Sequence, residues 1–243
     1  MEGGMTPTAG SARPNASPGT GMVRSVDIAG PAGRLEALLS EGTPEAPFAA
    51  LFCHPHPLGG GNLHNKVVYH AMKALNDPEW GLGWPVLRFN FRGTGLSQGA
   101  YHGEAESGDV LAALAWLENE YKRPLVLAGF SFGAAMAVKA LMEASADGGQ
   151  LSSQVRALIV LGLPTWVEGR NYEYLSLARC PVPKLFLSGD HDQFAPAAQL
   201  ARVAASAAQP KRLLLFPGCD HFFSGQLEPM QQALACWLKE ELG

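Results

Sequence analysis

Two short runs of alternating apolar and polar residues, Val23 to Ile28 and Arg34 to Leu39, flank the turn-forming segment Ala29-Gly30-Pro31-Ala32-Gly33. Alternation sends successive side chains to opposite faces of a strand, so this pair predicts an antiparallel hairpin. The pattern then changes. Phe48 to Cys53, Val86 to Phe91, Leu125 to Ala128, Ala157 to Leu161, Lys184 to Leu187 and Arg212 to Phe216 are short, nearly continuous apolar runs, as expected of strands covered on both faces. Helical stretches lie between them: Lys66 to Leu75, Ser107 to Tyr121, Phe132 to Ala144, Pro196 to Ala207 and Glu228 to Glu241. The alternation predicts an α/β fold, a doubly wound and mostly parallel sheet with the antiparallel hairpin on its N-terminal side. Ligands of such sheets bind beyond the carboxyl ends of the strands. Cys53-His54, Ser131, Gly189 to Asp192 and Cys219 to His221 all fall at such ends.

Residues 1–21 are mostly Gly, Pro, Ser, Thr and Ala with little to bury, which predicts a disordered tail followed by one domain over 22–243. A chain of 243 residues, 47% hydrophobic, is long enough for that domain's core. The net charge of −4 and the scattered lysines and arginines give no footprint for nucleic acid. No apolar run approaches the ~20 residues of a membrane helix, and the opening stretch lacks the apolar block of a secretory signal, so a soluble cytoplasmic protein is expected. Cys53, Cys180, Cys219 and Cys236 are widely spaced and match no CxxC metal pattern; free thiols or small core residues are expected. The sequence leaves monomer and dimer open.

The most specific local signal is Gly129-Phe130-Ser131-Phe132-Gly133, lodged between the apolar run Leu125 to Ala128 and a helix. In a nucleophile elbow the serine occupies a strained turn, and side chains at the flanking positions would strike the adjoining strand and helix. A serine hydroxyl needs a base to take its proton and a third group to hold that base in one tautomer. Leu185 to Asp192 is a strand running into a loop with two carboxylates, and Leu214 to His221 is the next strand running into a loop with a histidine. The order is Ser, then acid, then His.

With these residues the chain resembles the α/β-hydrolases, and within them the small cap-less bacterial hydrolases with a His-Pro-His-Pro…Gly-Gly loop. The likeness is carried by His54-Pro55-His56-Pro57-Leu58-Gly59-Gly60-Gly61, Asn65 to Val68, Arg88 to Ser97, the Ser131 elbow and Asp220-His221-Phe222-Phe223, and it covers about residues 22 to 241. It implies Ser131 as nucleophile and His221 as base. The family's Gly-x-x-Asp pattern falls on Gly189 to Asp192 and implies Asp192 as the orienting acid, with Asp190, next to Gly189 and placed to cap the loop, as the alternative.

Attack on a carbonyl creates an oxyanion that two backbone N–H groups must meet. Phe132, just after the nucleophile, is one expected donor. The other belongs to the loop after Cys53, where Pro55 and Pro57 carry no N–H. Alignment with related His-Gly-x-Gly-Gly loops selects Leu58, the preferred expectation; counting from the strand end selects His56. His54 and His56 also invite a metal reading, with His64 nearby, but the set is incomplete; His54 bracing the loop is the alternative, and neither metal nor cofactor is expected. Arg92-Gly93-Thr94-Gly95-Leu96-Ser97 is expected to be scaffold, its arginine paired within the protein.

Only about twenty residues, Pro164 to Pro183, fill the connection where related enzymes commonly insert a lid. No cap domain fits there, so the resemblance implies an open pocket, with Trp166, Tyr172, Tyr174, Phe194 and Phe222 as candidate lining. The implied activity is that of a serine hydrolase, a carboxylesterase acting on small-molecule, short-chain acyl esters through an acyl-enzyme. A peptidase or amidase on the same three residues and a non-catalytic binding protein of this fold are the alternatives. The haloalkane-processing branch needs a carboxylate where this chain has Ser131.

Overall fold

The structure is a computed structural model that describes residues 22–146, 153–167, 170 and 172–243. The tail expected over 1–21 lies outside the described residues. Eight strands make one sheet: β1 (Val23–Gly30), β2 (Gly33–Ser40), β3 (Ala49–Cys53), β4 (Val86–Phe89), β5 (Leu125–Phe130), β6 (Val155–Leu161), β7 (Lys184–Gly189) and β8 (Lys211–Phe216). Their order across the sheet is β1-β2-β4-β3-β5-β6-β7-β8. The hairpin pairs Val23 with Ser40 through to Gly30 with Gly33, and β2 joins β4 antiparallel. From β4 to β8 every pairing is parallel. This is the α/β-hydrolase architecture expected, with the hairpin at one edge.

Side-chain alternation divides the core. In β5, Leu125 and Leu127 belong to the core layer that also takes in buried residues of α2 (Ser107–Tyr121), α3 (Phe132–Ala146) and α4 (Ala197–Ser206). Val126, Ala128 and Phe130 face the other way, onto α1 (Lys66–Asn76) and α5 (Leu227–Leu242). Both faces of the central strands are therefore dry, and a Leu127→Ala truncation there belongs to the class that costs about 2–5 kcal/mol. Helix α1 begins where it does because Asn65 caps it, its side chain accepting from the Val67 and Val68 N–H groups.

Two expectations are corrected. The apolar run at Val86 to Phe91 ends as a strand at Phe89: the Asn90 N–H still donates to Glu36 O of β2 (2.8 Å), but the next N–H, that of Phe91, goes to the His54 side chain at Nε2 (3.0 Å). Arg212 to Phe216 is not covered on both faces: β8 is the last strand of the sheet, and Leu215 is exposed. Lys184, the buried first residue of β7, is accommodated because its ammonium donates to the carbonyls of Cys180 (2.9 Å), Ala208 (2.9 Å) and Pro210 (3.3 Å). Between β6 and β7 the described residues hold a Val167–Arg170 bridge and a 3-10 turn at Leu175–Arg179, and no cap domain. None of the helices among the described residues is long and apolar enough to cross a membrane.

Candidate active site

Ser131 has φ 55°, a left-handed backbone that a non-glycine residue adopts only where its surroundings enforce it. Its N–H donates to Leu161 O of β6 (2.9 Å), and α3 starts on the next residue. A Cβ on Gly129 would lie 2.4 Å from Gly133 O, and one on Gly133 would lie 2.4 Å from the carbonyl oxygens of Cys53 and His54. Strand, elbow and helix thus approach closer than any side chain allows, which holds the Ser131 hydroxyl at the carboxyl edge of the sheet.

The loops after β7 and β8 bring Asp192 and His221 together. His221 is buried, and its Nδ1–H donates to Asp192 Oδ2 at 2.7 Å. The same Oδ2 accepts the Ser188 hydroxyl (2.9 Å), while Oδ1 accepts the Phe194 (2.8 Å) and Ala195 (3.0 Å) N–H groups. Burial alone would raise the Asp192 carboxyl, but the bonds from His221, Ser188 and the Phe194 N–H outweigh it and hold the group below the usual carboxylate range. Asp190 stands elsewhere: its Oδ1 accepts the Gly218 N–H (2.7 Å) and braces the loop turn.

The imidazole of His221 is packed by Phe130 (centroids 4.8 Å), Phe194 (4.8 Å) and Phe222 (5.2 Å). Beneath it lies Gly162, at φ 50°, where a Cβ would sit 2.9 Å from His221 Cε1. Phe130, Gly162 and Ser188 were not singled out from the sequence, although the glycine directly after β6 is the kind of signal that marks close approach.

Ser131 and His221 line one cavity of about 300 Å³ with Pro55, His56, Phe132, Val167, Tyr172, Phe194 and Phe222. Among the described residues no hydrogen bond joins Ser131 to His221; catalytic bonds of this kind often close only around substrate. Of the aromatic residues expected to line the pocket, Tyr172, Phe194 and Phe222 do so. Trp166 is exposed, and Tyr174 is buried with its hydroxyl donating to Pro164 O (2.8 Å).

The loop after β3 places the two candidate donors differently. Leu58 lies in the 3-10 turn Pro57–Gly59, is 76% exposed, and faces a different groove. His56 lines the Ser131 cavity, and among the described residues the N–H groups of His56, Leu58 and Phe132 all lack a backbone acceptor. His54 braces the loop: its Nε2 accepts the Phe91 N–H (3.0 Å) and its Nδ1 lies 2.6 Å from Pro55 O. Both ring nitrogens are engaged, and burial pulls its pKa down to about 4, so the ring is neutral and offers no lone pair to a metal. His64 lines the groove of Leu58 instead. Arg92 is paired within the protein, bidentate to Asp109 at 2.7 and 3.0 Å. All four cysteines are free thiols.

A family profile described as an alpha/beta hydrolase domain matches residues 59–232. An uncharacterized protein of Rickettsia prowazekii is 35% identical over 218 residues, covering 86% of both chains. An alpha-beta serine hydrolase homologue from Coxiella burnetii is 34% identical, covers 88% of this chain and 97% of its own, and superposes with a TM-score of 0.76. A Xanthomonas campestris protein described as an a/b serine hydrolase without lid is 30% identical over 93% of this chain and 97% of its own, with a TM-score of 0.75.

Proposed function

The chain belongs to the alpha/beta hydrolase family, and on that premise we propose that it is a serine hydrolase, a carboxylesterase that cleaves short-chain acyl esters through an acyl-enzyme. The support above all is the buried Asp192–His221 pair opening onto the same cavity as Ser131 at the strand ends. The Coxiella and Xanthomonas similarities, both to serine hydrolases, point the same way.

Ser131 Oγ attacks the ester carbonyl carbon while His221 Nε2 takes the hydroxyl proton. Asp192 accepts the Nδ1–H of the imidazolium so formed and keeps Nε2 facing the serine. The N–H groups of His56 and Phe132 receive the oxyanion of the tetrahedral adduct; each such donor is worth about a hundred- to a thousand-fold in turnover. The adduct collapses as His221 returns the proton to the departing alkoxide. Water, deprotonated by His221, then attacks the acyl-enzyme and releases the acid and the free serine. The cavity is at the small end of ligand sites, about 300 Å³ and mostly apolar, which suits a short acyl group.

Ser131→Ala is expected to abolish p-nitrophenyl acetate cleavage and fluorophosphonate labelling with the melting temperature unchanged, and peptide mapping of the wild-type adduct should end on Ser131. Turnover surviving in that variant removes Ser131 from the reaction, and faster cleavage of aminoacyl amides than of esters by the wild type replaces the esterase with an amidase.

A further inference from the structure

His56 is held through its carbonyl and one ring nitrogen. Its carbonyl accepts the Gly59 and Gly61 N–H groups (3.0 Å each), and its ring Nε2 lies 2.8 Å from the Tyr101 hydroxyl. Among the described residues its ring Nδ1 and its backbone N–H have no hydrogen-bond partner, and of the two only the N–H belongs to the main chain of the loop. The clamp on the ring has its own support, because Arg170 Nη2 donates to the same Tyr101 oxygen. The guanidinium lies 5.5 Å from the centre of the Phe132 ring and 5.7 Å from that of Tyr101, while its remaining bonds, to Tyr172 OH (3.4 Å) and Gly103 O (3.5 Å), are long. Arginine can only donate, so the Tyr101 oxygen accepts from it and its own O–H donates to His56 Nε2. That direction fixes the neutral, Nδ1–H tautomer of His56.

Tyr101 stands on firm ground. The buried Glu106 carboxylate accepts the His102 (2.6 Å) and Gly103 (2.8 Å) N–H groups and holds the loop on which the phenol rides. The ring of His56 also packs on Phe132 (5.2 Å), the residue carrying the other expected oxyanion donor.

We propose that Tyr101, gripped by Arg170, is a positioning residue that holds His56 so that its N–H points at the forming oxyanion; the proposal rests on the serine-hydrolase mechanism above. Without the phenolic hydroxyl the His56 ring loses its polar anchor and is held by packing alone, while the carbonyl clamp and the His54 brace keep the rest of the loop. The loss falls on the transition state, because the carbonyl of bound ester carries little of the oxyanion's charge.

The test is steady-state hydrolysis of p-nitrophenyl acetate by the wild type, Tyr101→Phe, Arg170→Gln and the double variant, together with rates of fluorophosphonate inactivation. Tyr101→Phe should lower kcat about tenfold with KM within twofold, a fraction of what loss of a whole donor costs. Inactivation should slow in parallel. Arg170→Gln should lower kcat by less, and the double variant should be no slower than Tyr101→Phe alone, since both act through one bond. An inert wild type that does not label at Ser131 overturns the serine-hydrolase mechanism itself. An active, labelled wild type with kcat unchanged in Tyr101→Phe overturns only the positioning role, as does a raised KM at constant kcat, which would make Tyr101 a substrate contact. If Tyr101→Phe fails to fold, Arg170→Gln on the surface turn decides: an unchanged kcat there overturns the Arg170–Tyr101–His56 chain.

Discussion

Asp192→Asn has an outcome that the hydrogen bonds around the carboxyl dictate. Oδ1 faces two backbone donors, the Phe194 and Ala195 N–H groups at 2.8 and 3.0 Å, and these can be met only by an oxygen. The amide oxygen of asparagine must therefore occupy that side, and its NH2 must replace Oδ2 opposite His221 Nδ1, now 2.7 Å away. Ser188 can rotate its hydroxyl and accept from the new NH2. His221 cannot: to accept at Nδ1 it must carry its proton on Nε2, and then it has no lone pair for the Ser131 hydroxyl. The loss expected from this inverted tautomer is about 10,000-fold in kcat, as for the equivalent change in serine proteases, with KM within a few-fold. Asp190→Asn is the control, because its partner is the Gly218 N–H (2.7 Å), which an amide oxygen also satisfies; kcat should stay within about threefold. Steady-state p-nitrophenyl acetate kinetics measure both, with circular dichroism melts confirming that the variants fold. More than a tenth of the wild-type kcat in Asp192→Asn, or a larger loss in Asp190→Asn, refutes the assignment of the orienting carboxylate.

The neutral, buried His54 couples stability to acid. Its folded pKa is lowered to about 4, against about 6.5 for an unfolded histidine, so the unfolded chain binds the proton first and stability is lost as pH falls from about 6.5 towards 4. That difference is worth on the order of 3 kcal/mol; melts between pH 7 and 4.5 should show a shallower decline in His54→Gln than in the wild type, and equal slopes contradict the role. Gly162→Ala forces a Cβ into the left-handed region and to 2.9 Å from His221 Cε1. It should cost about 1–2 kcal/mol of stability and at least tenfold in kcat, and a fully active variant would show that the imbalance is absorbed without moving the imidazole. Acetate and butyrate esters should be cleaved faster than palmitate in a cavity of about 300 Å³; a preference for palmitate sinks the small-pocket argument.

The fold was legible because strands buried on both faces leave continuous apolar runs, and the elbow because Gly129 and Gly133 flank a serine at a strand-to-helix junction. What sequence alone could not decide depends on contacts between distant segments. The run ending at Phe91 looks like strand throughout, yet the Phe91 N–H goes to the His54 ring rather than to a neighbouring strand. For the second oxyanion donor, alignment selects Leu58 and counting from the strand end selects His56; Leu58 stands exposed on the turn at Pro57–Gly59, while His56 lines the Ser131 cavity. The paired carboxylates at 190 and 192 are distinguished only by what lies opposite, the Gly218 amide for one and the His221 ring for the other. Arg170 and Tyr101, 69 positions apart, give no local signal at all.

The bridged pair Val167 and Arg170 has two duties. Val167 shapes the cavity wall, and three residues later Arg170 reaches to Tyr101. Directed evolution that randomises this stretch to admit bulkier acids will therefore couple selectivity to speed, with variants that widen the binding space tending also to slacken the support of His56. Libraries that keep Arg170 and vary Val167 separate the two properties.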